Sequence, residues 1–177
     1  MWLILLFRIC LLGGILFVVW KWGDWKNRGR YYPTVLFIMT VNLAVCLITY
    51  HHTLWNYHPD ALVKTQTTIE LLNSFVMLPS TAFAFLSRFP YSSDAFYQYG
   101  YILLWALVFS TLEFIDKTIG GIYYEKGWSW EISTLFDCAI FLILRLHYVS
   151  PFWAWLITFV RTAVILVVFN FSSAEFK

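Results

Sequence analysis

EISTLFDCAIFLILRLHYVSPFWAWLITFVRTAVILVVFNF, residues 131–171, reads as two apolar runs separated by a turn at Val149 and Ser150. Each run approaches the length of about 20 residues that a helix needs to cross roughly 30 Å of hydrocarbon. Pro151 belongs at the first position of the second run, where a missing N–H leaves nothing unsatisfied. The stretch therefore predicts an antiparallel pair of membrane-spanning helices. Runs of this length do not alternate with a period of two, so a β-barrel is excluded.

The same test applied outward finds six spans in all: 2–20, 33–50, 67–86, 98–116, 131–148 and 151–171. Composition agrees. Of 177 residues, 60% are hydrophobic and 21% aromatic, while 12 basic residues nearly balance 10 acidic ones. A soluble domain carries about a quarter charged residues, and a disordered chain carries few aromatics. Both are ruled out. The net charge of +2 is small and its basic residues dispersed, which excludes nucleic acid as a partner. The reading is an all-α, polytopic membrane bundle forming a single domain, residues 1–177, whose first partner is the lipid bilayer. The first run, with Arg8 in its middle, is expected as a retained helix and not a cleaved leader. Cys10, Cys46 and Cys138 each lie in an apolar run without ligand spacing and read as small apolar residues.

Orientation follows from Lys and Arg in the short loops. Lys21, Lys26, Arg28 and Arg30 follow the first span, and Arg88 and Arg145 fall on the same side. Lys64, Lys117, Lys126 and Lys177 fall on the other. The bias places the first loop in the cytoplasm, the protein in the cell membrane, and both termini outside. Trp2, Trp20, Trp22, Trp25, Trp55, Trp128, Trp130, Trp153 and Trp155 lie at span ends, where indole rings favour the headgroup level; Trp105 lies deeper. Pro33 is expected at a helix start. Pro79, inside the third span, removes the bond to the Phe75 carbonyl and predicts a kink.

Charges inside spans are the residues that call for a function, since each costs a few kcal/mol unless paired or hydrated. At about 1.5 Å per residue, Asp137 and Arg161 both lie about 18 Å from the turn at Val149. Arg8 falls at a similar level and Glu113 at roughly 22 Å. Depth thus predicts one polar layer of Arg8, Glu113, Asp137 and Arg161, with Asp137 and Arg161 as its ion pair and Glu70 close by. The layer serves either helix packing or a cavity for a small solute, ion or lipid. His51, His52 and His58, beside Asp60, are weak metal candidates, because their spacing matches no ligand motif. No catalytic or cofactor signature occurs. Asn170, Phe171 and Ser172 form a glycosylation sequon too close to the bilayer to act as one. The loop GGIYYEKGWSW, residues 120–130, reads as a lid over the bundle or as an ordinary interfacial loop.

Four motifs are similar to those of a family of small integral membrane proteins of spore-forming Gram-positive bacteria. They are GDW followed by YYPT (Gly23 to Trp25, Tyr31 to Thr34), HxxLWxY (His52, Leu54, Trp55, Tyr57), the pair Gly127 and Trp128, and LRLHYxxPxxAW (Leu144 to Tyr148, Pro151, Ala154, Trp155). The resemblance implies a membrane protein and brings no activity with it. It suggests that Arg145 and His147 form a basic turn against anionic headgroups. Solute or ion binding or transport through the polar layer ranks first, a structural scaffold or membrane-protein partner second, and an enzyme of lipid or envelope substrates third.

Overall fold

The computed structural model describes residues 2–171. Lys177 and Ser172, named above, lie outside the described residues. The chain is an all-α bundle with six helices long and apolar enough to cross a membrane. They are α1 (Trp2–Trp22), α2 (Arg28–Ile48), the run α3 (Gln66–Leu72) and α4 (Leu78–Ser87), α5 (Ala95–Thr118), α6 (Trp130–Val149) and α7 (Pro151–Val168). In the most apolar 18-residue windows of α1 and α7 only 11% is buried inside the chain. So much exposed Leu, Ile, Phe and Val would aggregate in water and belongs against lipid.

Local chemistry sets the helix ends. The side chains of Thr65, Asp94 and Ser129 accept from the backbone amides of Thr68, Tyr97 and Ile132, each satisfying an orphan donor of a first turn. The α2 helix starts earlier than expected, at Arg28, because Asp24 accepts from the Asn27 amide and from the Tyr31 hydroxyl and organises a short 3-10 turn at Trp25–Asn27. Pro33 therefore lies inside the helix, not at its first position. Between α3 and α4, Asn73–Met77 form a π turn in which the Leu78 amide reaches back five residues to the Asn73 carbonyl. A proline cannot donate to the carbonyl four residues back, and a π turn immediately before Pro79 is one way a helix accommodates it.

The centre is packed by Phe85, Leu86, Phe141 and Leu144, with Ala82 and Ala106 fully buried among them, small residues of the kind that let helices approach closely. The two ends of the bundle are unlike. At the end carrying the first, third and fifth loops, the Asp24 amide donates to the Ser87 hydroxyl, and Arg88 donates to the Trp22 carbonyl. Two of the motifs meet there: Thr34 bonds His147 Nδ1 at 2.9 Å, and Tyr31 and Tyr148 stack at 5.8 Å. His147 is buried and stacked on Phe37 at 4.1 Å, which corrects its placement against headgroups. Arg145 lies over the Phe89 and Tyr91 rings with Nε and Nη1 buried.

The end carrying the termini is covered by an element that helical periodicity does not foresee. Trp55–Tyr57 (β1) and Ile122–Tyr124 (β2) pair antiparallel, Asn56 opposite Tyr123. This ribbon is made by the HxxLWxY motif and the loop after α5. Trp128 follows it and is buried, not interfacial, packing on Trp55 at 5.2 Å.

Candidate functional site

Beneath the ribbon, polar side chains from five elements converge. Arg8 turns upward from α1 and forms an ion pair with Asp60 at 2.7 Å while also donating to the carbonyls of His58 and Gly121. Asp60 Oδ1 accepts from the backbone amides of Leu62 and Val63. Burial pushes the Asp60 carboxyl up, but the Val63 amide, Arg8 and the Leu62 amide together hold it below the ordinary aspartate value. This clasp ties the N-terminal helix to both loops of the terminal end.

Inward of the clasp lies an acidic seam between α5 and α6. Glu113 Oε1 accepts from Ser133 Oγ at 2.5 Å and from the Tyr124 hydroxyl at 2.7 Å, and Ser133 accepts in turn from the Trp128 indole. Asp137 lies one helical turn beyond Ser133 on the same stripe of α6. It is only 8% exposed, and its Oδ2 has no hydrogen-bond partner among the described residues. Asp116, one turn from Glu113, is also buried, against Gly121, whose amide bonds the Asp116 carbonyl at 2.7 Å. A Cβ on Gly121 would collide with the Asp116 carboxyl, so this approach requires glycine.

A second arm runs from the ribbon into α3. Gln66 accepts from the Tyr57 amide and donates to Glu70 Oε1; the Glu70 carbonyl accepts from Ser74, which accepts from Asn42. The Tyr57 ring hangs between the arms. Burial pushes its phenol above the ordinary tyrosine range, and the neighbouring Glu113 and Asp116 carboxylates add to this. Burial and the bond to Glu113 raise Tyr124 in the same way, so both hydroxyls stay proton donors at neutral pH.

The predicted single layer of four charges is therefore divided. Glu113 and Asp137 share the α5 and α6 seam, Glu70 belongs to the neighbouring arm, and Arg8 leaves the layer for Asp60. Asp137 and Arg161 are not an ion pair; the Arg8 and Asp60 pair is the one formed among the described residues. Arg161 lies instead over the Phe136 ring, 4.5 Å from its centroid. Adjacent positions on a helix point about 100° apart, so the side chain that meets Arg161 is Phe136 while Asp137 faces elsewhere. The histidines also diverge: His51 packs on Tyr50, His52 is buried against Phe171, and His58 is exposed beside Tyr123. Among the described residues no group of three or more His, Cys, Asp or Glu is placed to hold a metal. Asp116 pairs with Glu113 on one stripe of the helix by its spacing of three, and Tyr57 stands in the HxxLWxY motif, but Tyr124 and Ser133 were not singled out from sequence; the aromatic richness of the ribbon masks a tyrosine whose hydroxyl, not ring, matters.

No family model, curated protein or solved structure matches the chain.

Proposed function

We propose that the protein is a proton-handling component of the cell membrane, binding and passing protons through the acidic seam. The observation that carries this reading is the buried Asp137 carboxyl, with an unpartnered oxygen, one turn below a linked set of Trp128, Ser133, Glu113 and Tyr124. Carboxyls and hydroxyls so joined exchange protons by small rotations, and carboxyls are kept inside a bilayer at a cost that a purely apolar seam would avoid. Both basic residues nearest the ends of the relay are otherwise engaged, Arg8 with Asp60 and Arg161 with Phe136. Among the described residues no ion pair holds Glu113 or Asp137 ionised.

The excess of Lys and Arg in the first, third and fifth loops supports a cytoplasmic location for that end and an outward-facing ribbon. The motif resemblance supports the same setting, the membrane of a Gram-positive spore former. Protons then enter beside Tyr124 and reach Asp137 through Glu113.

Reconstitution into liposomes holding a pH-sensitive dye tests the reading. A potassium diffusion potential should drive proton uptake above that of empty vesicles, and Glu113→Gln and Asp137→Asn should each remove it. Uptake equal to that of empty vesicles, or unchanged in the double variant, refutes it and leaves a structural role for the carboxyls.

A further inference from the structure

Arg8 lies near two carboxyls and pairs with one. Its Nη1 meets Asp60 at 2.7 Å, while its Nη2 donates to the carbonyls of His58 at 2.9 Å and Gly121 at 3.3 Å. Gly121 is also the residue against which Asp116 is packed. The Asp116 carboxyl occupies the place that a Gly121 side chain would take, and the Asp116 carbonyl accepts from the Gly121 amide. One glycine thus separates the guanidinium from a second acid, and the Arg8 charge is close enough to act on it. Asp116 is only 9% exposed, and its Oδ1 has no hydrogen-bond partner among the described residues.

The loop that carries Asp60 over α1 is lightly held. Residues 58–65 form neither helix nor strand. Among the described residues, the hydrogen bonds joining 58–64 to the rest of the bundle all run to Arg8 or to Gly121: the ion pair, the Arg8 bond to the His58 carbonyl, and the His58 amide bond to the Gly121 carbonyl at 2.8 Å. Lifting this loop would strand Arg8, whose side chain is 16% exposed and cannot shed its charge. A second carboxyl one glycine away removes most of that penalty.

We propose that Arg8 is a two-position latch for the roof over the acidic seam. With the loop down it pairs with Asp60; when the loop lifts, the guanidinium turns past Gly121 to the Asp116 carboxyl, so the terminal end opens without a bare cation. The balance between the two positions is the difference between the two pairings, and whatever favours one carboxylate over the other shifts it. A clasp with one position needs no buried acid beside it. The latch goes beyond the proton reading, because it describes how this end opens whether or not the seam carries protons.

The experiment follows amide exchange over residues 55–63 in the full-length protein in detergent. Asp116 supports the lifted loop, so Asp116→Asn should slow this exchange by about tenfold, the factor that 1.4 kcal/mol confers. The slowing depends on Arg8: in an Arg8→Gln background, Asp116→Asn should leave the exchange of this segment where it was. An attraction between Arg8 and Asp116 confined to the closed form has the opposite sign, and its loss would speed exchange. Unchanged or faster exchange in Asp116→Asn overturns the proposal. So does equal slowing in both backgrounds, which marks the relief of a buried acid and nothing more. Should Arg8→Gln not fold, or exchange too fast to follow, Arg8→Lys keeps a cation and permits cross-linking by an apolar carbodiimide, which joins an amine to a carboxyl in contact with it. Peptide mapping should then find residue 8 joined to Asp60, and joined to Asp116 in the double variant Arg8→Lys, Asp60→Asn. Residue 8 left unlinked in that double variant, or linked to any other carboxyl, overturns the latch.

Discussion

Removing the Asp60 carboxylate tests whether the terminal end is held by the clasp. Asp60→Ala deletes three acceptor contacts: Arg8 Nη1 at 2.7 Å and the Leu62 and Val63 amides at 2.8 Å each. Hydrogen bonds to a charged group contribute about 1.5–3 kcal/mol apiece. The two amides belong to a loop at the bundle end and recover water, so the full sum is not reached. The Arg8 and Asp60 side chains are only 16% and 0% exposed, which places the pair near the buried limit, where removing one partner costs about 3–5 kcal/mol. Taking 3 kcal/mol as the discounted figure, the melting midpoint should fall by about 6–12 °C. Asp60→Asn keeps an acceptor for the two amides and should lose roughly half as much. The pH dependence has a definite sign. The folded carboxyl titrates below its ordinary value of 3.8, so its contribution is complete above that value and disappears as the pH falls through the lower folded one. Thermal unfolding in detergent gives the midpoints, and amide exchange at 55–57 and 122–124 reports the ribbon. A midpoint unmoved by Asp60→Ala, with ribbon exchange unchanged, would refute the clasp.

Gly121→Ala places a methyl group on the Asp116 carboxyl and should cost about 1–3 kcal/mol, with faster exchange in β2 and the end of α5 as its signature. Ala106→Leu overfills the fully buried contact at the centre of the bundle and should destabilise by a similar amount, whereas Gly100→Leu at an exposed position of the same helix should do far less.

The spans were legible because a bilayer imposes length and apolarity on every helix, and six runs met both demands. Their polarity patterns, however, measure depth along an axis and say little about direction around it. Asp137 and Arg161 lie at matching depths, yet one residue of rotation on α6 gives Arg161 the Phe136 ring and leaves Asp137 to the Ser133 stripe. Arg8 was legible as a charge in a span but not as a partner of Asp60, because the loop fold that brings residue 60 over α1 depends on ribbon pairing between segments 67 residues apart, such as Asn56 and Tyr123. Strands of three residues carry no detectable period. Pro79 reads as a kink from sequence; the structure has a π turn at Asn73–Met77 just before it, with Asn73 accepting from Leu78, a choice that propensity does not encode.

The separation of Asp137 from Arg161 can be decided by free energies alone. Were they partners, removing either would strand the other, and the second substitution would cost little once the first was made. Facing different neighbours, they should behave independently: Asp137→Asn relieves a buried carboxyl with an unpartnered oxygen, and Arg161→Gln removes a cation whose close contact is an aromatic face. The effects of the two on stability should then add to within about 0.5 kcal/mol in the double variant. A direct ion pair at this burial would instead leave a coupling of 0.5–3 kcal/mol or so. Coupling of that size would restore the pair and remove the unpartnered acid from the relay, since that reading rests on Arg161 being elsewhere.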